Sequence, residues 1–120
     1  MATIMIVDDV PSEAQLMARV VQQLGHHPVL VADGEAALSS AKSTNPNLIL
    51  MDVVMPGMNG FETCRKIKKD KEVGNVPIVM VTTKDQETDK FWATKQGANG
   101  YVTKPFSPDS LAAAIQQHLG

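Results

Sequence analysis

The chain has 120 residues and a mass of 12.9 kDa, and the scaling of surface with mass gives roughly 6,300 Å² folded against roughly 18,700 Å² unfolded, enough burial for one domain and not for two. Its 11 basic and 13 acidic residues leave a net charge of -2, which offers no overall attraction to nucleic acid or anionic lipid, and a single cysteine excludes an internal disulfide and argues against a Cys-rich zinc site. No apolar run is long enough to insert into a membrane, and the N-terminus lacks the basic start and apolar stretch of a signal peptide, so a cytoplasmic protein is expected.

Short apolar, β-branched runs alternate with longer amphipathic stretches. Residues 3–7 read as a strand. Pro11 and Ser12 open a helix over 11–24, because proline fits a first helical turn and serine can cap it. Leu16, Val20 and Leu24 give this helix an apolar stripe, and Gly25 ends it. A second strand is expected over 29–32 and a helix over 34–43, broken by Asn45-Pro46. Residues 48–51 form a third strand. A loop carrying Pro56, Gly57, Asn59 and Gly60 leads into a helix over 61–70. Residues 78–81 are the fourth strand, 85–96 a helix ended by Gly97, and 100–103 the fifth strand. The last helix runs over 107–119, with Ser107 as cap and Pro108 at its first position.

Five strand-helix units with continuously apolar strands imply a parallel sheet covered on both faces, a doubly wound α/β fold. Ligand sites in such sheets lie beyond the carboxyl ends of the strands. The first strand ends in Asp8-Asp9, the third in Asp52, the fourth in Thr82-Thr83 and the fifth in Thr103-Lys104-Pro105. Parallel strands bring all of these to one edge. Taken singly, an aspartate at a strand end reads as a cap, a threonine as a turn residue and Lys-Pro as a loop. Together they form one pocket. Three carboxylates repel one another unless a cation compensates them, and an all-oxygen donor set with open positions favours Mg²⁺. A carboxylate held by Mg²⁺ and Lys104 is a nucleophile towards phosphorus, and Mg²⁺, Lys104 and the Thr82 hydroxyl can hold the phosphoryl oxygens. The chemistry these residues suit is phosphoryl transfer to an aspartate.

The segments Met5-Ile6-Val7-Asp8-Asp9, Leu50-Met51-Asp52-Val53-Val54-Met55-Pro56-Gly57-Met58-Asn59-Gly60, Val81-Thr82-Thr83 and Tyr101-Val102-Thr103-Lys104-Pro105-Phe106 resemble, in order and across the whole chain, the response-regulator receiver domain. The resemblance implies a flavodoxin-like sheet of order 2-1-3-4-5 with five helices, filling residues 1–120 as a single receiver with no output domain. It implies that Asp52 is the phosphorylated aspartate and that Asp9 ligates Mg²⁺ directly, with Asp8 acting mostly through water. The backbone carbonyl of Val54 would be the third protein ligand. Thr82 would be the hydroxyl that moves onto the phosphoryl group, Tyr101 the aromatic switch that follows it, and Lys104 the lysine paired with the phosphoryl oxygens. The Lys104–Pro105 bond is expected to be cis. The implied partners are a sensor histidine kinase or its phosphotransfer domain and a downstream motility or signalling protein. The implied state is a monomer or a phosphorylation-dependent dimer. Such a domain catalyses only its own phosphorylation and autodephosphorylation.

Residues 82–90 with Trp92 and Gln96-Gly97-Ala98 are similar to the single-domain receivers of type IV pilus twitching-motility systems. This points to motility, phototaxis or chemotaxis. The β-branched Thr83 narrows the approach to the phosphoryl group, while Val54 and Lys84 flank its mouth. Phe91 is expected in the core, whereas Trp92 is a candidate partner contact on the face made by the fourth helix, fifth strand and fifth helix, the family's output surface. The basic run 66–71 reads as a solvated helix end. Cys64, His26, His27 and His118 carry no assigned role.

Alternatives to a signalling switch are a phosphate sink for the same kinase and a phosphatase with an aspartyl nucleophile. The phosphatase would need a second aspartate two positions after the first, where Val54 stands. A flavin-binding domain is disfavoured because Asp8-Asp9 would repel its phosphate, and no P-loop occurs.

Overall fold

The computed structural model describes residues 1–119; Gly120, the last residue of the expected 1–120 domain, lies outside them. In chain order the elements are β1 (Thr3–Val7), α1 (Pro11–Gln23), β2 (His27–Val31), α2 (Gly34–Thr44), β3 (Leu48–Met51), α3 (Gly60–Lys69), β4 (Ile78–Thr82), α4 (Glu87–Lys95), β5 (Gly100–Thr103) and α5 (Pro108–Leu119). The strands form one parallel sheet in the order β2-β1-β3-β4-β5, the flavodoxin-like arrangement. The register pairs Val7 with both Val31 and Met51, Met51 with Met80, and Thr82 with Thr103, so the carboxyl ends of all five strands share one edge.

Alternation along the inner strands divides the core into two layers. Met5, Val7, Ile49, Met51, Ile78 and Met80 face α2, α3 and α4, where they meet Ala37, Ala41, Cys64, Ile67 and Ala93. Ile4, Ile6, Leu48, Leu50, Val79 and Val81 face α1 and α5, against Met17, Val21, Leu111 and Ile115. β1, β3 and β4 are buried on both faces apart from Thr3 at the start of β1, whereas the edge strands β2 and β5 are only part-buried. The accessible surface is 6278 Å², close to the value that mass alone gives.

Helix ends follow local chemistry, and several expected boundaries shift because of it. Ser107 caps α5 as expected, its Oγ accepting from Ser110 N at 3.0 Å. Gly25 and Gly97 follow α1 and α4 at φ 84° and 99°, a backbone conformation that favours glycine. Ser12, however, does not cap α1: the cap position is Val10, with no side-chain bond and Pro11 starting the helix. β2 begins at His27 rather than 29, because Thr3 pairs with His27 across the sheet. α4 begins at Glu87 rather than 85, where Gln86 and Asp89 close a capping box.

Two apolar expectations are corrected. Of the expected stripe, Val20 is buried and Leu24 packs partly buried against the core, but Leu16 is 50% exposed, because the inward face of α1 is Ala14, Met17, Ala18, Val20 and Val21. A spacing of four drifts off the 3.6-residue face that the sheet selects. Phe91 is 55% exposed rather than in the core, and Trp92 beside it is 53% exposed. α4 buries only Ala93 against the sheet. The basic run is also not wholly solvated: Lys68 Nζ donates to Val76 O at 2.7 Å and Asn99 Oδ1 at 2.9 Å, tying α3 to the segment around β4.

Candidate functional site

The turn after each strand delivers a polar residue to the common edge. After β1, Asp8 is held down twice. Its N–H donates to Val31 O at 3.1 Å, and its Oδ1 accepts from Val10 N at 2.9 Å, closing the turn into α1. Asp9 follows at the rim, half-buried. After β3, Asp52 N donates to Val7 O at 3.0 Å, extending the β1–β3 pairing by one residue. Asp52 Oδ1 then accepts from Val54 N at 3.2 Å. The Val54 peptide is thus drawn to the carboxylate while its side chain projects into solvent. Gly60 lets α3 start directly against this turn: a Cβ there would overlap the Asp52 carbonyl oxygen and come within 2.8 Å of Val53 Cα.

Lys104 joins these strands. It follows β5, precedes a cis bond to Pro105, and its side chain is 6% exposed. Its ammonium donates to Asp8 Oδ2 at 2.7 Å and Asp52 Oδ2 at 3.0 Å. Burial works against that charge, but the accepting carboxylates of Asp8, Glu13 and Asp52 outweigh it and hold the lysine pKa above its ordinary value. Asp8 shows the opposite balance: burial pushes its carboxyl pKa up, beyond the lowering effect of Lys104 and the Val10 N–H. Among the described residues no buried side-chain polar atom lacks a partner.

Carboxylate oxygens of Asp8, Asp9 and Asp52 all lie within 4.8 Å of one another. They are hard, anionic oxygen donors, and one lysine does not neutralise them. This set fits a hard divalent cation such as Mg²⁺.

Thr82 is fully buried at the end of β4, and its Oγ1 accepts from Lys84 N at 3.4 Å. Tyr101, on β5, donates its hydroxyl to Lys84 O at 2.7 Å. Its pKa is pushed up to about 12 by burial, with the charges of Asp89, Asp52 and Asp85 adding to the effect. Thr82 and Tyr101 therefore meet at one residue, Lys84, whose side chain pairs with Asp89 of α4 at 3.8 Å. On the outer side of α4, Phe91 and Trp92 stack edge to face with centroids 5.7 Å apart, and Lys95 Nζ lies 5.3 Å from the Phe91 ring centre. Cys64 is remote from the edge, its thiol pushed up to about 11 by burial, which suits an inert core position.

The structure brings Asp8, Asp9, Asp52 and Lys104 together, with Thr82 linked to Lys104 through the backbone, and adds one residue. Glu13, in the first turn of α1, places Oε1 2.6 Å from Lys104 Nζ. Sequence reading passes over it because an acidic residue in a first helical turn is ordinary.

The Response regulator receiver domain family model matches residues 4–116. Protein PilH of Pseudomonas aeruginosa is 43% identical over 119 residues, covering 99% of this chain and 98% of PilH. The DNA-binding response regulator MtrA of Mycolicibacterium smegmatis is 38% identical over 97% of this chain, which spans only 50% of MtrA. Among solved structures, the receiver domain of sensor histidine kinase PA1611 from Pseudomonas aeruginosa, with a magnesium ion coordinated in its active-site cleft, superposes with a TM-score of 0.91 at 30% identity, covering 99% of this chain and 98% of that one. Strand order, site geometry and these likenesses agree, and the chain belongs to the response-regulator receiver domain family.

Proposed function

We propose that this chain is a phosphorylation switch in which Asp52 accepts a phosphoryl group from a histidine kinase or its phosphotransfer domain. One observation carries the reading: Lys104 bonds Asp52 and Asp8 from a different strand, beside a third carboxylate, at the edge where Thr82 ends β4. In the transfer an Asp52 carboxylate oxygen attacks phosphorus in line with the P–N bond of phosphohistidine. The P–O bond forms as the P–N bond breaks, and the electron pair returns to the imidazole nitrogen. Lys104, already at the carboxylate, pairs with a phosphoryl oxygen, and Thr82 turns its hydroxyl from Lys84 N towards another. Asp9, Asp8, Asp52 and the Val54 carbonyl are the ligands proposed for Mg²⁺, which supplies electrostatic stabilisation of the charge developing on the phosphoryl oxygens. The chain catalyses no reaction beyond its own phosphorylation and dephosphorylation.

The output follows from the contact at Lys84. When Thr82 moves, it releases the N–H of Lys84, whose carbonyl accepts the Tyr101 hydroxyl, and the α4-β5-α5 face changes shape. Phe91 and Trp92 are the exposed apolar anchors on that face. The likeness to PilH supports a role in surface motility or chemotaxis-like signalling, with a motility or signalling protein as target. The proposed site of action is the cytoplasm; among the described residues no helix is long and apolar enough to cross a membrane. Incubation with Mg²⁺ and acetyl phosphate should add the mass of one phosphoryl group to the wild type and none to Asp52→Asn. Failure of the wild type to gain it in the presence of Mg²⁺ overturns the reading. A phosphotransfer profile against histidine kinases then identifies the donor.

A further inference from the structure

We infer that Glu13 is an anionic gate on Lys104, which the incoming phosphoryl group must displace; the inference rests on the phosphoryl-accepting role proposed for this site. An ammonium has three N–H donors. Asp8 and Asp52 accept two of them at 2.7 and 3.0 Å, and Glu13 Oε1 lies 2.6 Å from the same nitrogen as an ion pair, on the side where a phosphoryl oxygen would approach the third. Of these carboxylates only Glu13 can leave. The Asp8 and Asp52 side chains are 0% and 10% exposed and anchored by backbone N–H groups. Glu13 is 36% exposed, and its carboxylate is held by the ion pair with Lys104 and by no backbone N–H.

The local backbone explains why Glu13 is free for this contact. It occupies the third position of α1, where a glutamate ordinarily reaches back to the N–H of the cap residue. Here that N–H, on Val10, already donates to Asp8 Oδ1. The Glu13 carboxylate therefore turns to Lys104, at the rim of a groove that it lines with Thr83 and Pro105.

Charge sets the direction of the effect. Lys104 and a divalent cation together carry three positive charges, against four carboxylates from Asp8, Asp9, Glu13 and Asp52. Phosphorylation converts the single charge of Asp52 into a phosphoryl group of nearly two. Glu13 thus opposes each anion that enters the site, while stabilising the unphosphorylated state through Lys104. Glu13→Gln keeps an oxygen that can accept from Lys104 and removes the charge; Glu13→Ala removes both.

The test is fluoroberyllate binding, a phosphoryl mimic, followed by fluorine NMR at saturating Mg²⁺. Both variants should bind it about threefold to tenfold more tightly than the wild type, since one nearby charge in a part-screened site is worth that much. The acetyl phosphate concentration giving half-maximal phosphorylation should fall in parallel. Were Glu13 only a strut that positions Lys104, Glu13→Ala would bind fluoroberyllate more weakly, and that result, or no change in either variant, overturns the gate. A wild type that binds fluoroberyllate and accepts phosphate while the variants match it refutes the gate alone. A wild type that does neither refutes the phosphoryl-accepting role as well.

Discussion

Replacing Lys104 with methionine tests whether the site is held together by charge compensation. The ammonium is 6% exposed and bonds two carboxylates, Asp8 and Asp52, whose side chains are 0% and 10% exposed. Methionine fills similar space without charge, so the main loss is electrostatic. Removing one partner of a buried ion pair costs about 3–5 kcal/mol, because the remaining charge is stranded. The lower figure applies here, since Glu13 can rotate into solvent and Asp9 stands at the rim. At about 2.1 cal/mol/K per residue over 120 residues, the unfolding entropy is about 0.25 kcal/mol/K, so a loss of about 3 kcal/mol lowers Tm by about 12 °C. Mg²⁺ at ten times its Kd adds about 1.4 kcal/mol to any form that binds it. It should bind Lys104→Met more tightly than the wild type and recover a larger share of stability there. Urea and thermal unfolding with and without Mg²⁺ measure both quantities. Because the cost comes from stranded carboxylates, it should shrink by about half in an Asp8→Asn background. A Tm within about 2 °C of the wild type, or an equal loss with Asp8 neutralised, would refute the argument.

Asp8→Asn alone should stabilise the magnesium-free protein at pH 7, because burial raises the Asp8 pKa above its ordinary value and the folded state therefore disfavours its ionised form. That penalty is present above the folded pKa and is relieved as pH falls through it, so the gap between variant and wild type in urea titrations should close towards pH 4; a gap that widens on acidification contradicts the sign. Gly60→Ala should cost about 3 kcal/mol in urea unfolding, as its methyl meets the backbone at Asp52 and Val53, and should weaken magnesium binding by moving the Asp52 turn. Wild-type stability in that variant would mean that α3 can slide away from the turn. Thr83→Ala should shorten the lifetime of the phosphorylated form, followed by intact mass after donor removal, because the exposed β-branched side chain stands in the groove beside Lys104. An unchanged lifetime removes Thr83 from the account of hydrolysis.

The sequence by itself determined the sheet and where its chemistry lies. Ile4 to Val7, Leu48 to Met51 and Ile78 to Val81 are apolar without interruption because both faces of a central parallel strand are buried. The same burial forces their polar residues to the ends, so Asp8, Asp9, Asp52, Thr82 and Lys104 could be gathered before any coordinate was known. Ser107 and the glycines after α1 and α4 were equally legible, since caps are local chemistry. Tertiary structure decided the rest. Which stripe of α1 turns inward depends on where the sheet lies, and it chose Met17 and Val21 over Leu16. α4 rests on the sheet through Ala93 alone, which left Phe91 outside with Trp92. Glu13 meets Lys104 only because α1 and the turn after β5 converge at the strand edge, and an ion pair between residues so far apart in the chain leaves no periodic trace in it.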